Sequence, residues 1–463
     1  MQKKVLLISY HFPPSAEVGG LRTANFARRL PQFGWEPYVL TLKDRYLRST
    51  DPEKLDFACG AKIFKAGQTP TLSQAYLACK SLLLRFAGKK RSSARMQCAG
   101  RAGGPIPRPK AESPSMRFRR YVLAFLNLPD PQRNWILPAV IAAVRIVRRE
   151  RIHCVVTSCP PYSAHLVGWI TKSITGVKWI ADFRDPWMTA SSKSLFATCA
   201  ASLAIERWME RRVVESAHRI VANTEMLRGD LERAYSGGHD ERFICITNAF
   251  DRDLFSRFSR IGKRDKFTIV YTGSLYFGRS PEPVFRAVNE LINEGAVGGQ
   301  EIQIHLVGQC RAVDGIPIES LIERYELSDA VEVRDPVPYL HALEMVKEGH
   351  LALLLAPNQP YQIPAKVYDY MGLQTRVLAL ARDGATARLI RSTGIGSVFE
   401  PEDTEGIKRF IRESLAREET GEQTYGPESV SEFEIGSTAG RLASVLDGLL
   451  VTVPGSKPMS GRV

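Results

Sequence analysis

Gly19-Gly20 stand directly before Leu21-Arg22, after an apolar run, Val5-Leu6-Leu7-Ile8, and the loop Tyr10-His11-Phe12-Pro13-Pro14. The apolar run reads as a buried strand, and Ala24 to Leu30 carries a helical pattern. Backbone N–H groups at a helix entrance lack intrahelical partners. Glycine puts no Cβ in the way, so an anionic ligand is favoured there. The spacing is not G-x-G-x-x-G, so a dinucleotide fingerprint is not met. A tight turn alone would equally account for the pair. Pro364-Ala365-Lys366 raises the same question further along. Proline near the first helical position starts a helix. It brings the Lys366 ammonium beside the positive helix end, which is unfavourable unless an anion is present. Asp369 follows at i+3 on the same face. A surface ion pair between the two, worth about 0.2–0.5 kcal/mol, is the plainer explanation.

A third group follows predicted strands in the first half. His165 opens a helix after Cys154-Val155-Val156-Thr157-Ser158 and the loop Cys159-Pro160-Pro161-Tyr162-Ser163. Asp182, Arg184 and Asp185 come after the strand Lys178 to Ala181. Ligands of open α/β sheets bind beyond the carboxyl ends of the strands. These four residues are therefore expected to line a cleft, with one of them deprotonating or orienting an acceptor. Tyr162 and Trp187 are expected to stack against that acceptor, or else to belong to the core.

The elements that must hold these residues alternate strand and helix twice over. The first series runs from Val5 to the short strand and turn Cys245-Ile246-Thr247-Asn248-Ala249-Phe250-Asp251; 257–266 is a polar linker. The second begins with Phe267-Thr268-Ile269-Val270-Tyr271-Thr272, ending in Gly273-Ser274, and continues with Ile302 to Val307, ending in Gly308-Gln309. Further strands follow at Val331 to Val333, Leu351 to Leu355 and Val377 to Leu380. Two such series indicate two doubly wound, parallel-sheet α/β domains facing a cleft, at 1–256 and 267–451. The tail 452–463 is rich in Gly, Pro and Ser and reads as flexible.

With 463 residues, 44% hydrophobic and 24% charged, the composition is that of a globular protein with more than one domain. The eight cysteines show no C-x-x-C and no clustering with histidine, so they read as reduced core thiols in a cytoplasmic protein. No apolar run is long enough to span a bilayer, and the first residues carry no signal-peptide pattern. The net charge of +14 is uneven. Between Arg85 and Arg120, eleven Lys/Arg face one acid, Glu112, among glycines, prolines and serines. This reads as a basic, disordered insertion at about 87–117, flanked by Leu82-Leu83-Leu84-Arg85-Phe86 and Tyr121-Val122-Leu123-Ala124-Phe125. An anionic membrane surface is one partner for it, which would make the protein peripheral on the inner face of the cell membrane. A solvated linker is the other reading. No aromatic residue stands between Phe86 and Phe118 at the two ends of the run, which argues against nucleic acid.

Seven segments in order resemble the family 4 glycosyltransferases of GT-B fold, in particular bacterial enzymes of surface-polysaccharide or glycolipid assembly. They are Tyr10 to Arg22, Asp130-Pro131-Gln132-Arg133-Asn134-Trp135, Ser158 to His165, Asp182-Phe183-Arg184-Asp185-Pro186-Trp187, Thr247-Asn248-Ala249-Phe250-Asp251, Thr272 to Pro281, and Ile363 to Met371. The resemblance implies a nucleotide-diphosphate sugar bound mainly by the C-terminal domain and a glycan or lipid-linked acceptor on the N-terminal one. It also implies retention of anomeric configuration, with no cofactor and no metal. The departing diphosphate must then be stabilised by helix ends, fixed cations and glycine-loop amides.

By this resemblance Gly19, Gly20, Gly273, Ser274, Arg279, Gly308, Pro364, Lys366 and Asp369 bind the donor. Catalysis falls to Arg279 and Lys366 with His165, Asp182 or Asp185, and acceptor binding to Tyr162, Arg184 and Trp187. The sequence departs from the family in three places. Ser274 stands where an arginine is usual, Asp369 where glutamate is common, and Tyr361 where a first glutamate belongs. Asp251-Arg252-Asp253 matches the D-x-D form of metal-dependent glycosyltransferases of the other major fold, and its position before the linker makes it structural. Two alternatives are a sugar-nucleotide epimerase or hydrolase of the same fold, and a non-catalytic nucleotide-sugar-binding relative.

Overall fold

A computed structural model describes residues 2–17, 19–52, 54–55, 60–70, 125, 128–188, 199–276, 278–420 and 425–451. The basic stretch from Arg85 to Arg120 and the tail 452–463 lie outside the described residues.

The first sheet is built from β1 (Lys3–Ile8), β2 (Trp35–Leu42), β3 (Lys62–Ala66), β4 (Cys154–Cys159), β5 (Lys178–Phe183), β6 (Arg219–Ala222) and β7 (Phe243–Cys245). They lie in the order β3-β2-β1-β4-β5-β6-β7, all parallel. The second sheet holds β8 (Phe267–Ser274), β9 (Ile302–Gln309), β12 (Val331–Arg334), β13 (Leu351–Leu355), β14 (Arg376–Leu380) and β15 (Gly396–Phe399); a small hairpin, β10 (Ala312–Val313) and β11 (Ile316–Pro317), follows β9. Its order is β12-β9-β8-β13-β14-β15, again all parallel. The strands are continuous apolar runs because helices cover both faces: β4 and β13 are buried along their whole length. The edge strand β3, Lys-Ile-Phe-Lys-Ala, is mostly exposed, and its lysines guard the edge.

In both sheets the strand order reverses beside the first strand, between β1 and β4 and between β8 and β13. Loops leaving neighbouring strands diverge there and open a crevice. The glycine turn after β1, the loop after β8 and the segment between β13 and β14 thus converge on the space between the domains.

The chain crosses that space a second time near its end. Phe250 and the 433–435 segment exchange backbone hydrogen bonds, Phe250 N to Phe433 O and Ile435 N to Phe250 O, both 2.9 Å. The helix Ile435–Leu450 then packs on the helix Gly20–Arg29 of the first domain. Asp447 accepts from Lys3 Nζ (2.6 Å) and Trp35 Nε1 (2.9 Å).

Candidate functional site

A cavity of about 760 Å³ lies between the two sheets, lined from both sides. On the C-terminal wall, Gly273 and Gly308 are direct partners in the β8–β9 ladder, with φ of +141° and +126°. A Cβ on Gly308 would strike the Gly273 carbonyl, and one on Gly273 would meet the Lys366 ammonium. Glycine is therefore required twice, for the left-handed backbone and for close approach.

Lys366 is the first residue of the helix Lys366–Leu373, and Ala365 before it offers no side-chain cap. Its ammonium sits 4.4 Å from the centre of the Tyr271 ring. Burial, with Arg279 nearby, pushes its pKa down to about 8. The Arg279 guanidinium lies 4.2 Å over the Tyr276 ring and close to the Tyr271 hydroxyl. Among the described residues neither cation has a carboxylate at ion-pair distance. Asp369 turns instead to Tyr339, whose hydroxyl donates to its Oδ1 at 2.7 Å, and burial raises the Asp369 pKa to about 7. The surface ion pair between Lys366 and Asp369 does not form. Two like charges flanking one aromatic ring beside a helix N-terminus are tolerated where an anion will sit.

On the N-terminal wall, Gly19 and Gly20 have different reasons. Gly20 begins its helix hard against the Phe12 backbone, where a Cβ would lie 2.9 Å from the Phe12 Cα, and its amide donates to Glu17 O at 3.4 Å. Gly19 lines the cavity, and its carbonyl accepts from Arg184 Nη1. Arg184 Nη2 also donates to Pro160 O (3.2 Å), so this arginine staples the glycine turn to the loop after β4. Asp185 accepts across the cleft from Gln362 Nε2 at 2.8 Å. Thr224 Oγ1 crosses it too, donating at 2.8 Å to the Tyr361 carbonyl. At Tyr361 this bond uses the backbone, which any side chain would offer.

Four sequence-predicted residues lie away from the cavity. Asp182 is 2% exposed and grips Arg22, whose Nε and Nη2 donate to its two oxygens at 3.0 and 2.8 Å; Ser158 Oγ also donates to it at 2.8 Å. The other N–H groups of Arg22 go to Thr247 O, Ile246 O and Asn248 Oδ1. His165 is wholly buried, bonded to Thr157 Oγ1 at 2.8 Å and packed 4.5 Å from the Phe183 ring; burial drives its pKa down to about 3, so it is neutral. Tyr162 and Trp187 stack on each other (4.8 Å, 8° between planes), donating to Pro186 O and Glu206 Oε2 respectively. The expectation that His165 and Asp182 line the cleft is corrected, and Tyr162 and Trp187 take the core alternative, for a common reason. Strand-end loops fold back onto the sheet, and each of these side chains finds an internal hydrogen-bond partner. Asp130, in another of the seven segments, accepts from Ser163 N and Oγ at 2.7 and 2.6 Å and so caps the helix Ser163–Thr175.

Asp251 caps the short helix Arg252–Phe255 and pairs with Arg28 and Arg29, while Asp253 pairs with Arg29 at 2.5 Å. Both carboxylates of the D-x-D match are thereby engaged in joining two helices. Residues that sequence reasoning missed include Tyr339, Gln362 and Lys54, all on the cavity wall. Lys54 Nζ donates to Ala16 O at 2.5 Å and lies 6.0 Å from the Tyr339 ring. Gln362 adjoins the Ile363-Pro364 segment and Tyr339 follows Pro336-Val337-Pro338 into a helix, signals too local to reveal a partner across the cleft.

Solved structures share the two-domain fold. Sucrose-phosphate synthase from Thermosynechococcus elongatus superimposes with a TM-score of 0.61 at 15% identity, over 97% of this chain and 99% of that one. Anabaena HepE in complex with UDP and glucose gives 0.57 at 14% identity (96% and 99%). The apo form of WaaB, a lipopolysaccharide outer core galactosyltransferase, gives 0.55 at 10% (96% and 99%). No curated protein sequence matches the chain. Residues 19–249 match the model of the glycosyl transferase 4-like domain. The chain is a family 4-like glycosyltransferase of GT-B fold.

In this glycosyltransferase the lowered pKa of Lys366 has a measurable consequence. An anion in the cavity favours the protonated amine, so affinity for a nucleoside diphosphate should fall as pH rises through about 8. The loss approaches tenfold per pH unit once the lysine is neutral. Ionisation of Asp369 near 7 adds negative charge to the cavity as pH rises. That contribution is present in both wild type and Lys366→Arg, whose guanidinium keeps its charge. Calorimetric titration from neutral to alkaline pH should show the extra fall in wild type alone. Parallel curves would remove Lys366 from the anion site.

Proposed function

We propose that this glycosyltransferase moves a sugar from a nucleotide-diphosphate donor to a glycan or lipid-linked acceptor in cell-surface polysaccharide or glycolipid synthesis, with retention and without a metal ion. One observation carries the donor reading: Arg279 and Lys366, with no carboxylate at ion-pair distance among the described residues, flank Tyr271 beside two positive-φ glycines in the cleft. The diphosphate would lie against Gly273 and Gly308, its leaving charge held by the two cations and the amides of the Lys366 helix. Asp369, held by Tyr339 on the cavity wall, would accept from the ribose hydroxyls. The acceptor would enter from the N-terminal wall near Gly19, Arg184 and Asp185. With Asp182 and His165 engaged in the core, Asp185 is the carboxylate of that segment available to orient an acceptor hydroxyl.

Thermal-shift screening against nucleotide-diphosphate sugars tests the donor reading. A true donor at 100 times its Kd stabilises the protein by about 2.7 kcal/mol. Transfer should persist in excess chelator; loss in EDTA restored by Mg²⁺ or Mn²⁺ would defeat the metal-free mechanism. Release of free sugar or an epimerised donor without acceptor would point to hydrolase or epimerase chemistry, and binding without turnover to a non-catalytic role.

A further inference from the structure

We propose that the outer face of three neighbouring helices of the first domain, Ile136–Glu150, Ser163–Thr175 and Ala200–Ser216, docks on an anionic lipid bilayer. The last of these sorts its charges by face. Glu206 and Glu210 are 5% and 3% exposed and turn inward, accepting from Trp187 Nε1 and the Tyr235 hydroxyl. Arg207, Arg211 and Arg212 turn outward around Trp208, which is 49% exposed. The Trp208 ring meets the edge of Trp169 on the middle helix at 6.0 Å, which joins the two surfaces.

The first helix presents one outward stripe, Leu137, Ile141, Arg145 and Arg148, at i, i+4, i+8 and i+11. Leu137 is 61% exposed and Ile141 42%, and Ile174 of the middle helix is 49% exposed. Single exposed apolar residues are ordinary. Four large ones on adjacent helices, accompanied by outward arginines, mark an interaction surface. The exposed charges of the three helices include Arg145, Arg148, Arg149, Arg207, Arg211 and Arg212, against the exposed Glu215, which lies 3.9 Å from Arg212.

Charge complementarity selects the occupant. A second copy of this face would bring arginines against arginines. A nucleic acid would satisfy the arginines but leave Leu137, Ile141 and Ile174 without use. A bilayer satisfies both: the aliphatic side chains enter the acyl boundary, tryptophan sits at headgroup level and arginines meet lipid phosphates. This surface is separate from the cavity, so the inference stands or falls independently of the donor reading.

Cosedimentation of the full chain with phosphatidylcholine vesicles, with and without phosphatidylglycerol, tests it. Binding should require the anionic lipid and fall steeply with salt. At about 1 kcal/mol per near-surface arginine, the triple variant Arg207→Gln, Arg211→Gln, Arg212→Gln should lose at least tenfold in partitioning. Trp208→Ser should weaken binding as well, with the melting midpoint preserved because all four side chains are exposed. Wild-type partitioning by both variants overturns the proposal and moves any membrane attachment elsewhere, the basic stretch 85–120 being the first place to look. Absence of binding by the wild-type chain, a stable dimer lost in the variants, or preferential binding of RNA likewise overturns it.

Discussion

Lys366→Ala and Arg279→Ala should each slow sugar transfer by about two to three orders of magnitude, or ~2–4 kcal/mol in the barrier, if each acts chiefly on the departing diphosphate. The structure says why the fold should tolerate both changes. Neither side chain has a carboxylate at ion-pair distance among the described residues, and burial with Arg279 nearby depresses the tendency of Lys366 to hold charge. Removing Lys366 relieves a repulsion and the desolvation of a buried amine, so its melting midpoint should hold or rise. Donor affinity should fall less than turnover, because charge on the leaving group grows toward the transition state. The loss should appear in kcat as well as in kcat/KM. Unchanged turnover in both variants would remove the cation pair from the mechanism. A common loss of stability would show instead that the pair is structural. Ser274 sharpens this test: with no arginine at that position, the leaving-group charge rests on fewer cations and each should matter more.

Two features of the site were legible in the chain itself, and for physical reasons. Lys366 at a helix entrance is a local conflict, visible because proline fixes where the helix begins; the helix starts at Lys366 itself. Gly273 and Gly308 end apolar runs, and a glycine there signals special backbone; the structure adds that a Cβ on Gly308 would strike the Gly273 carbonyl and one on Gly273 the Lys366 ammonium. Both sheets could be read because buried parallel strands are continuous apolar runs. The edge strand β3 escaped for the opposite reason, since Lys62-Ile63-Phe64-Lys65-Ala66 is short and mostly solvated. The return of the Ile435–Leu450 helix to the first domain rests on contacts between Asp447 and Lys3 or Trp35, partners separated by nearly the whole chain. No local pattern encodes them. His165 and Asp182 were misplaced for the same reason, and it left open whether Tyr162 and Trp187 belong to the core. Sequence shows that a polar residue follows a strand; it does not show whether Arg22, Thr157 or Glu206 waits inside to receive it.

Asp182 puts that distinction to its hardest test. Asp182→Ala should destabilise the protein by about 3–5 kcal/mol, because it leaves the Arg22 guanidinium buried without its counter-charge. The two side chains are only 5% and 3% exposed, so water cannot take the place of the carboxylate. What remains for Arg22 are the Thr247 and Ile246 carbonyls and the Asn248 side chain, which hydrogen-bond but do not neutralise. Asp182→Asn keeps the shape and one acceptor oxygen and should recover part of the loss. The glycine turn preceding Arg22 and the 246–248 segment are both tied to this one guanidinium. A variant that survives should therefore show weakened donor binding together with lowered stability, and ligand should restore some of both. Chemical denaturation followed by circular dichroism, with turnover measured on the folded fraction, separates the two roles. An Asp182→Ala protein of wild-type stability but without activity would return this carboxylate to the chemistry. A destabilised protein whose folded fraction still turns over would fix it as the anchor of Arg22, leaving Asp185 to face the acceptor.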